Sequence, residues 1–81
     1  MRYEVTILPT AERDMKRISP EIARRIVRKI QALQNDLAGD VKRLVDFQPP
    51  YRLRVGDWRV LFDIKGDMIL VQRVRHRSQA Y

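Results

Sequence analysis

The stretch YRLRVGDWRVLF, residues 51–62, places Arg52, Arg54 and Arg59 around a Gly56-Asp57 turn signal inside an apolar run. If Gly56 and Asp57 form a two-residue hairpin loop, Val55 pairs with Trp58, Arg54 with Arg59, and Leu53 with Val60. Side chains alternate along a strand, so Arg52, Arg54 and Arg59 then share one face. Tyr51, Leu53, Val55, Trp58, Val60 and Phe62 take the other. Like charges directly opposite across strands lower stability, within the range of about 0.2–1 kcal/mol for cross-strand pairs. The same grouping becomes favourable around a phosphate, because each guanidinium offers a planar fork to its oxygens. An ordinary solvated face, partnered by Asp57 and Asp63, explains the alternation equally well.

The tail VRHRSQAY adds Arg73, Arg75, His76, Arg77 and Tyr81. Depending on whether the second hairpin's loop counts two residues or three, Arg73 lies either inward or opposite Arg59, so its face stays open. His76 is an acid or base near neutrality, a donor to RNA, or a plain surface histidine. Tyr81 is suited to stacking on a base or exchanging a proton with an RNA hydroxyl, and equally to packing or a frayed end. With no cysteine and a single histidine, a thiolate or self-contained zinc site is excluded. No phosphate-binding glycine loop, nucleophile elbow, EF-hand or paired-carboxylate site is present.

The elements that must position these residues read as one small α+β domain spanning residues 1–81. Tyr3, Val5 and Ile7 alternate with polar neighbours as a strand ended by Pro9. Thr10 is placed to cap a short helix in which Ala11, Met15 and Ile18 share a side. Ser19-Pro20 signals a second helix start, after which Ile22, Ile26, Ile30, Leu33 and Leu37 recur at helical spacing toward a Gly39 cap. Residues 40–50 carry no periodic pattern and read as a polar connection, anchored by Leu44 and Phe47. Three alternating runs follow, with turns at Gly56-Asp57 and at Lys65-Gly66-Asp67. The expected architecture is an N-terminal strand, a helical hairpin and a three-stranded antiparallel meander in one sheet, with the helices on one face.

The chain carries seventeen Lys and Arg against ten Asp and Glu, a net charge of +7. Residues 51–81 hold seven of the cations and only three of the carboxylates, so the excess sits with the candidate site. Such a balance points to an anionic partner, either nucleic acid or an acidic protein. The N-terminus lacks the apolar core of a secretory signal and no run reaches bilayer length, so a cytoplasmic location is expected.

The motif YRLRVGDWRVLFDI, followed by a turn, a valine-rich strand and VRHRSQAY, resembles the RelE branch of the RelE/ParE toxin superfamily, whose members read approximately YRxRxGxYRVxY and then VxHRxxxY. The helical hairpin and N-terminal strand fit the same fold, and the resemblance spans essentially the whole chain. It implies a toxin of a toxin–antitoxin pair that cleaves messenger RNA in the ribosomal decoding site without a metal. Attack of a ribose 2′-hydroxyl on the adjacent phosphate would leave a cyclic phosphate and a 5′-hydroxyl. By motif, the catalytic positions are Arg52, Arg54, Arg59, Arg77 and Tyr81, with Arg73, Arg75 and His76 as further RNA contacts. Arg75 stands where the family usually carries glycine. The implied partners are the ribosome, its message and an acidic RelB-like antitoxin.

Two other readings use the same residues. A ParE-type inhibitor of DNA gyrase shares the fold without the catalytic cluster, and retention of the five motif residues argues against it. A non-catalytic RNA-binding module would bind in a salt-dependent way without cutting.

Overall fold

Alternating runs become strands and the two amphipathic runs become helices in the computed structural model, which describes residues 1–80. Tyr81, one of the five expected catalytic residues, lies outside the described residues. Chain order is β1 (Glu4–Ile7), α1 (Pro9–Lys16), α2 (Pro20–Ala32), β2 (Asp40–Arg43), β3 (Tyr51–Val55), β4 (Trp58–Lys65) and β5 (Met68–His76). The strands form one sheet ordered β1-β5-β4-β3-β2. β1 runs parallel to β5, and every other pairing is antiparallel.

The core lies between the helices and one sheet face. Ala11 of α1, Ile18 just after it, Ile26 and Ile30 of α2 and its C-cap Leu33 meet Leu53, Val55, Val60, Phe62, Ile69, Val71 and Val74. Tyr51 and Phe62 stack at 5.5 Å between ring centroids and extend this layer to the β3 end. The face assigned by parity is thus the buried one, and the arginines face away from the helices.

Three expectations are corrected. First, residues 40–50 are not wholly a connection: Asp40–Arg43 pairs with β3 as a fifth strand, Asp40 opposite Arg54 and Lys42 opposite Arg52. Its signal is hidden because an edge strand carries charges that blunt it against association, leaving only Val41 to alternate. Second, α2 stops at Ala32 rather than near Gly39. Gln34 O accepts the N–H of Tyr3 at 3.0 Å, and Asp36 and Leu37 then take φ of 54° and 59°, so tertiary pairing turns the chain early. Gly39 instead has φ 130°, and a Cβ there would stand 2.8 Å from Leu53 Cδ1. Third, neither expected side-chain cap forms: Leu8 and Ser19 hold the N-cap positions with no side-chain bond.

Thr10 has a different task. Its hydroxyl donates to Gln72 O at 2.6 Å, while Leu8 N–H donates to Val71 O at 2.9 Å. β1 covers β5 only as far as Val71, and from Gln72 onward α1 takes over the open edge. Satisfying that edge leaves the last part of β5, which carries Arg73, Arg75 and His76, anchored in register.

Candidate active site

The two-residue loop at Gly56-Asp57 forms as expected, pairing Val55 with Trp58, Arg54 with Arg59 and Leu53 with Val60. A second two-residue loop pairs Lys65 with Met68. Without irregularity this register would point Arg73 inward. A bulge between Leu61 and Phe62 leaves Gln72 unpaired, so Phe62 faces Val71 while Leu61 faces Arg73. One extra residue reverses the parity of the strand beyond it. Arg73 therefore joins the arginine face opposite Leu61, in neither of the two placements expected from loop length, and it is Arg75 that stands opposite Arg59.

The result is two lateral rows. Arg54, Arg59 and Arg75 lie abreast on β3, β4 and β5, nearest the Gly56-Asp57 turn. One step behind, Arg52, the buried Leu61 and Arg73 form the second row. Arg77 reaches the same turn, its N–H donating to Asp57 O at 2.8 Å.

Partners divide these cations into two groups. Arg73 donates to Asp14 through Nε at 2.9 Å and Nη2 at 3.0 Å, and the same carboxylate accepts Val74 N–H at 2.9 Å. Burial pushes the Asp14 carboxyl up, but the hydrogen bonds from Arg73 and Val74 and the charges of Arg73 and Arg75 outweigh it and hold it below the ordinary carboxylate range. Asp14 raises the Arg73 pKa in return. Arg52 donates to the carbonyl and carboxylate of Asp40 at 3.2 and 3.3 Å; its side chain is only 11% exposed and its buried Nε has no hydrogen-bond partner. Arg77 lies 3.8 Å from the Asp57 carboxylate.

The front row has no carboxylate partner among the described residues. Arg59 donates to the carbonyls of Gly56 and Trp58 at 2.9 and 3.0 Å, which fixes its guanidinium at the turn without neutralising it. Arg75 donates to Gln79 O at 3.3 Å, and the exposed Arg54 side chain makes no hydrogen bond or ion pair among the described residues. Three charges abreast on an open face attract an anion, and a guanidinium already oriented loses less freedom when one binds.

His76 sits beyond the front row, opposite Trp58, with the rings edge-on at 5.4 Å between centroids. Trp58, on the apolar face as its parity implies, is half-buried at the margin of the core. His76 Nδ1 lies 3.0 Å from Ser78 Oγ and 3.3 Å from the Ser78 backbone nitrogen, so the ring is held against the Ser78 turn. The Arg73 partner, Asp14, carried no sequence signal, since 59 residues separate the pair and α1 reads as a plain amphipathic helix.

Residues 5–81 match the family described as the ParE toxin of the type II toxin–antitoxin system, parDE. Toxin RelE3 of Methanocaldococcus jannaschii is 34% identical over 83 residues, covering 96% of this chain and 94% of that protein. Among solved structures, the toxin–antitoxin complex RelBE2 of Mycobacterium tuberculosis aligns with a TM-score of 0.82 at 26% identity, over 95% of this chain and 100% of that one. The RelB–RelE antitoxin–toxin complex of Methanococcus jannaschii aligns at 0.75 and 32% identity, over 93% of each chain. These matches run through the arginine face and the helical hairpin alike, and the chain belongs to the RelE/ParE family of toxins of type II toxin–antitoxin systems.

Proposed function

We propose that this toxin cleaves messenger RNA in the ribosomal decoding site, by metal-free attack of a ribose 2′-hydroxyl on the neighbouring phosphate. The row of Arg54, Arg59 and Arg75, none of them ion-paired among the described residues because the neighbouring Asp40 carboxylate is taken by Arg52, is the observation that carries this reading. Negative charge grows on the phosphate oxygens as the 2′-oxygen bonds to phosphorus and the 5′-oxygen leaves, and fixed cations there lower the barrier. Arg52, behind the row, holds β2 and adds to the field, and Arg77 adds charge at the turn.

Two protons must move: the 2′-hydroxyl loses one and the departing 5′-oxygen gains one. Arginine stays protonated far above neutrality and does not serve as the base. A donor to the leaving oxygen must hold a proton it can give up, and His76 as the imidazolium is the candidate. Tyr81, carried over from the family motif, is the candidate for the 2′-proton, a role that would need a lowered phenol pKa. The products are a 2′,3′-cyclic phosphate and a 5′-hydroxyl. An acidic RelB-like antitoxin, folding as it binds, would neutralise the same face.

Primer extension on a defined message, with and without ribosomes, tests this. Cuts confined to ribosome-bound message and lost in Arg59→Ala and Arg77→Ala are expected. Absence of cuts from folded wild-type protein would overturn the reading, and a supercoiling assay on gyrase would then test the ParE-type activity.

A further inference from the structure

Beside the front row, the sheet edge opens into a cleft of about 550 Å³ between the end of α1 and the end of β5. Its inner wall is apolar, with Ile18 and Val74 at 9% and 3% exposure beside the half-buried Trp58 ring. Its mouth is cationic. Arg73 is answered there by Asp14, which leaves Arg17 and Arg75 without carboxylate partners among the described residues. Arg17 is exposed and spends only its backbone N–H, donated to Asp14 O at 3.1 Å, on closing α1.

An aromatic surface with an apolar floor between two unpaired guanidiniums matches one chemical class well. A nucleotide presents a flat π-face that stacks on aromatic rings and a phosphate that takes an arginine fork. An acidic peptide would answer the charges but leave the Trp58 wall unused. Trp58 and Val74 project from the helix-side face of the sheet and the front row from the other, and Arg75, which belongs to the row and lines the cleft, links the two around the β5 edge.

We infer that this cleft is a nucleotide subsite, holding the RNA nucleotide next to the phosphate bound by the front row, its base against Trp58 and its phosphate between Arg17 and Arg75. The location relative to the cut rests on the proposed nuclease reading, whereas nucleotide binding by the cleft does not.

Trp58 is the only tryptophan in the chain, so its emission reports on the cleft directly. The probe is a 2′-O-methyl RNA trinucleotide, which lacks the attacking hydroxyl and stays intact. Saturable change in Trp58 emission is expected, with Kd raised several-fold in Arg17→Ala and further in Arg17→Glu, and a salt slope reduced by about 0.7 for the lost phosphate contact. Both variants should keep the wild-type circular dichroism, because the side chain has no partner to lose. Unchanged emission, a Kd indifferent to Arg17, or an equal response to inorganic phosphate or polyglutamate would each overturn the subsite. If only the nuclease reading fails, the wild type makes no cuts yet the Arg17-dependent signal persists. If only the subsite fails, ribosome-bound message is cut while that signal is missing.

Discussion

Asp14 ties α1 to β5 through three hydrogen bonds, and Asp14→Ala removes all of them at once. Stripping one member from a fully buried ion pair costs about 3–5 kcal/mol. Asp14 is 15% exposed but Arg73 is 39% exposed, so the guanidinium regains water and that figure falls to about 1–2 kcal/mol. The Val74 N–H, left without its acceptor, adds about 1 kcal/mol. A loss of about 2–3 kcal/mol lowers Tm by roughly 10–20 °C in a domain of this size. The pH dependence has a definite sign. Because the folded Asp14 carboxyl titrates below its unfolded counterpart, its contribution is whole above the ordinary value of about 4 and fades as pH falls through the lowered folded value. Urea unfolding of wild type and Asp14→Ala at pH 7 and pH 2.5 measures both effects. A loss under about 0.5 kcal/mol at pH 7 would refute the clamp, as would a gap that does not narrow in acid.

The front row carries a trade between stability and charge. Arg75→Ala relieves the like charge opposite Arg59 and should stabilise the fold by up to about 0.5 kcal/mol by thermal melting, while weakening binding to single-stranded RNA in a filter assay. Gly39→Ala drives a methyl to 2.8 Å from Leu53 Cδ1 at φ 130° and should destabilise by about 1–3 kcal/mol in urea titration. Phe62→Ala, at 0% exposure in the centre of β4, should lose about 3–5 kcal/mol and leave the chain largely unfolded at 37 °C by circular dichroism.

Periodicity carried most of the fold, because a half-buried strand and an amphipathic helix each write one burial decision per residue. Val5, Leu53, Val60 and Ile26 are buried or packed on the core as their spacing implies. The Gly56-Asp57 turn fixed the register of β3 against β4, and with it the shared face of Arg52, Arg54 and Arg59. What stayed hidden depended on contacts distant in sequence. β2 is an edge strand whose pairing exists because β3 offers it a ladder, and the early end of α2 answers to Tyr3 and Met1. The faces of Arg73 and Arg75 hinge on the unpaired Gln72, and nothing in the residue types around it marks a bulge. Likewise, alternation shows that Arg54 and Arg59 face each other but not that carboxylates have gone to Arg52, Arg73 and Arg77 instead.

That division of partners is the centre of the account, and the single-turnover rate of message cleavage on ribosomes tests it most directly, with Arg54→Ala compared to wild type. Arg54 is exposed and unpartnered among the described residues, so its loss leaves the fold intact. A fall in rate of about a hundredfold or more, with unchanged melting temperature, is the result expected for a cation at the developing charge. An Arg54→Ala rate within a few-fold of wild type would contradict the claim that the row of Arg54, Arg59 and Arg75 holds the scissile phosphate.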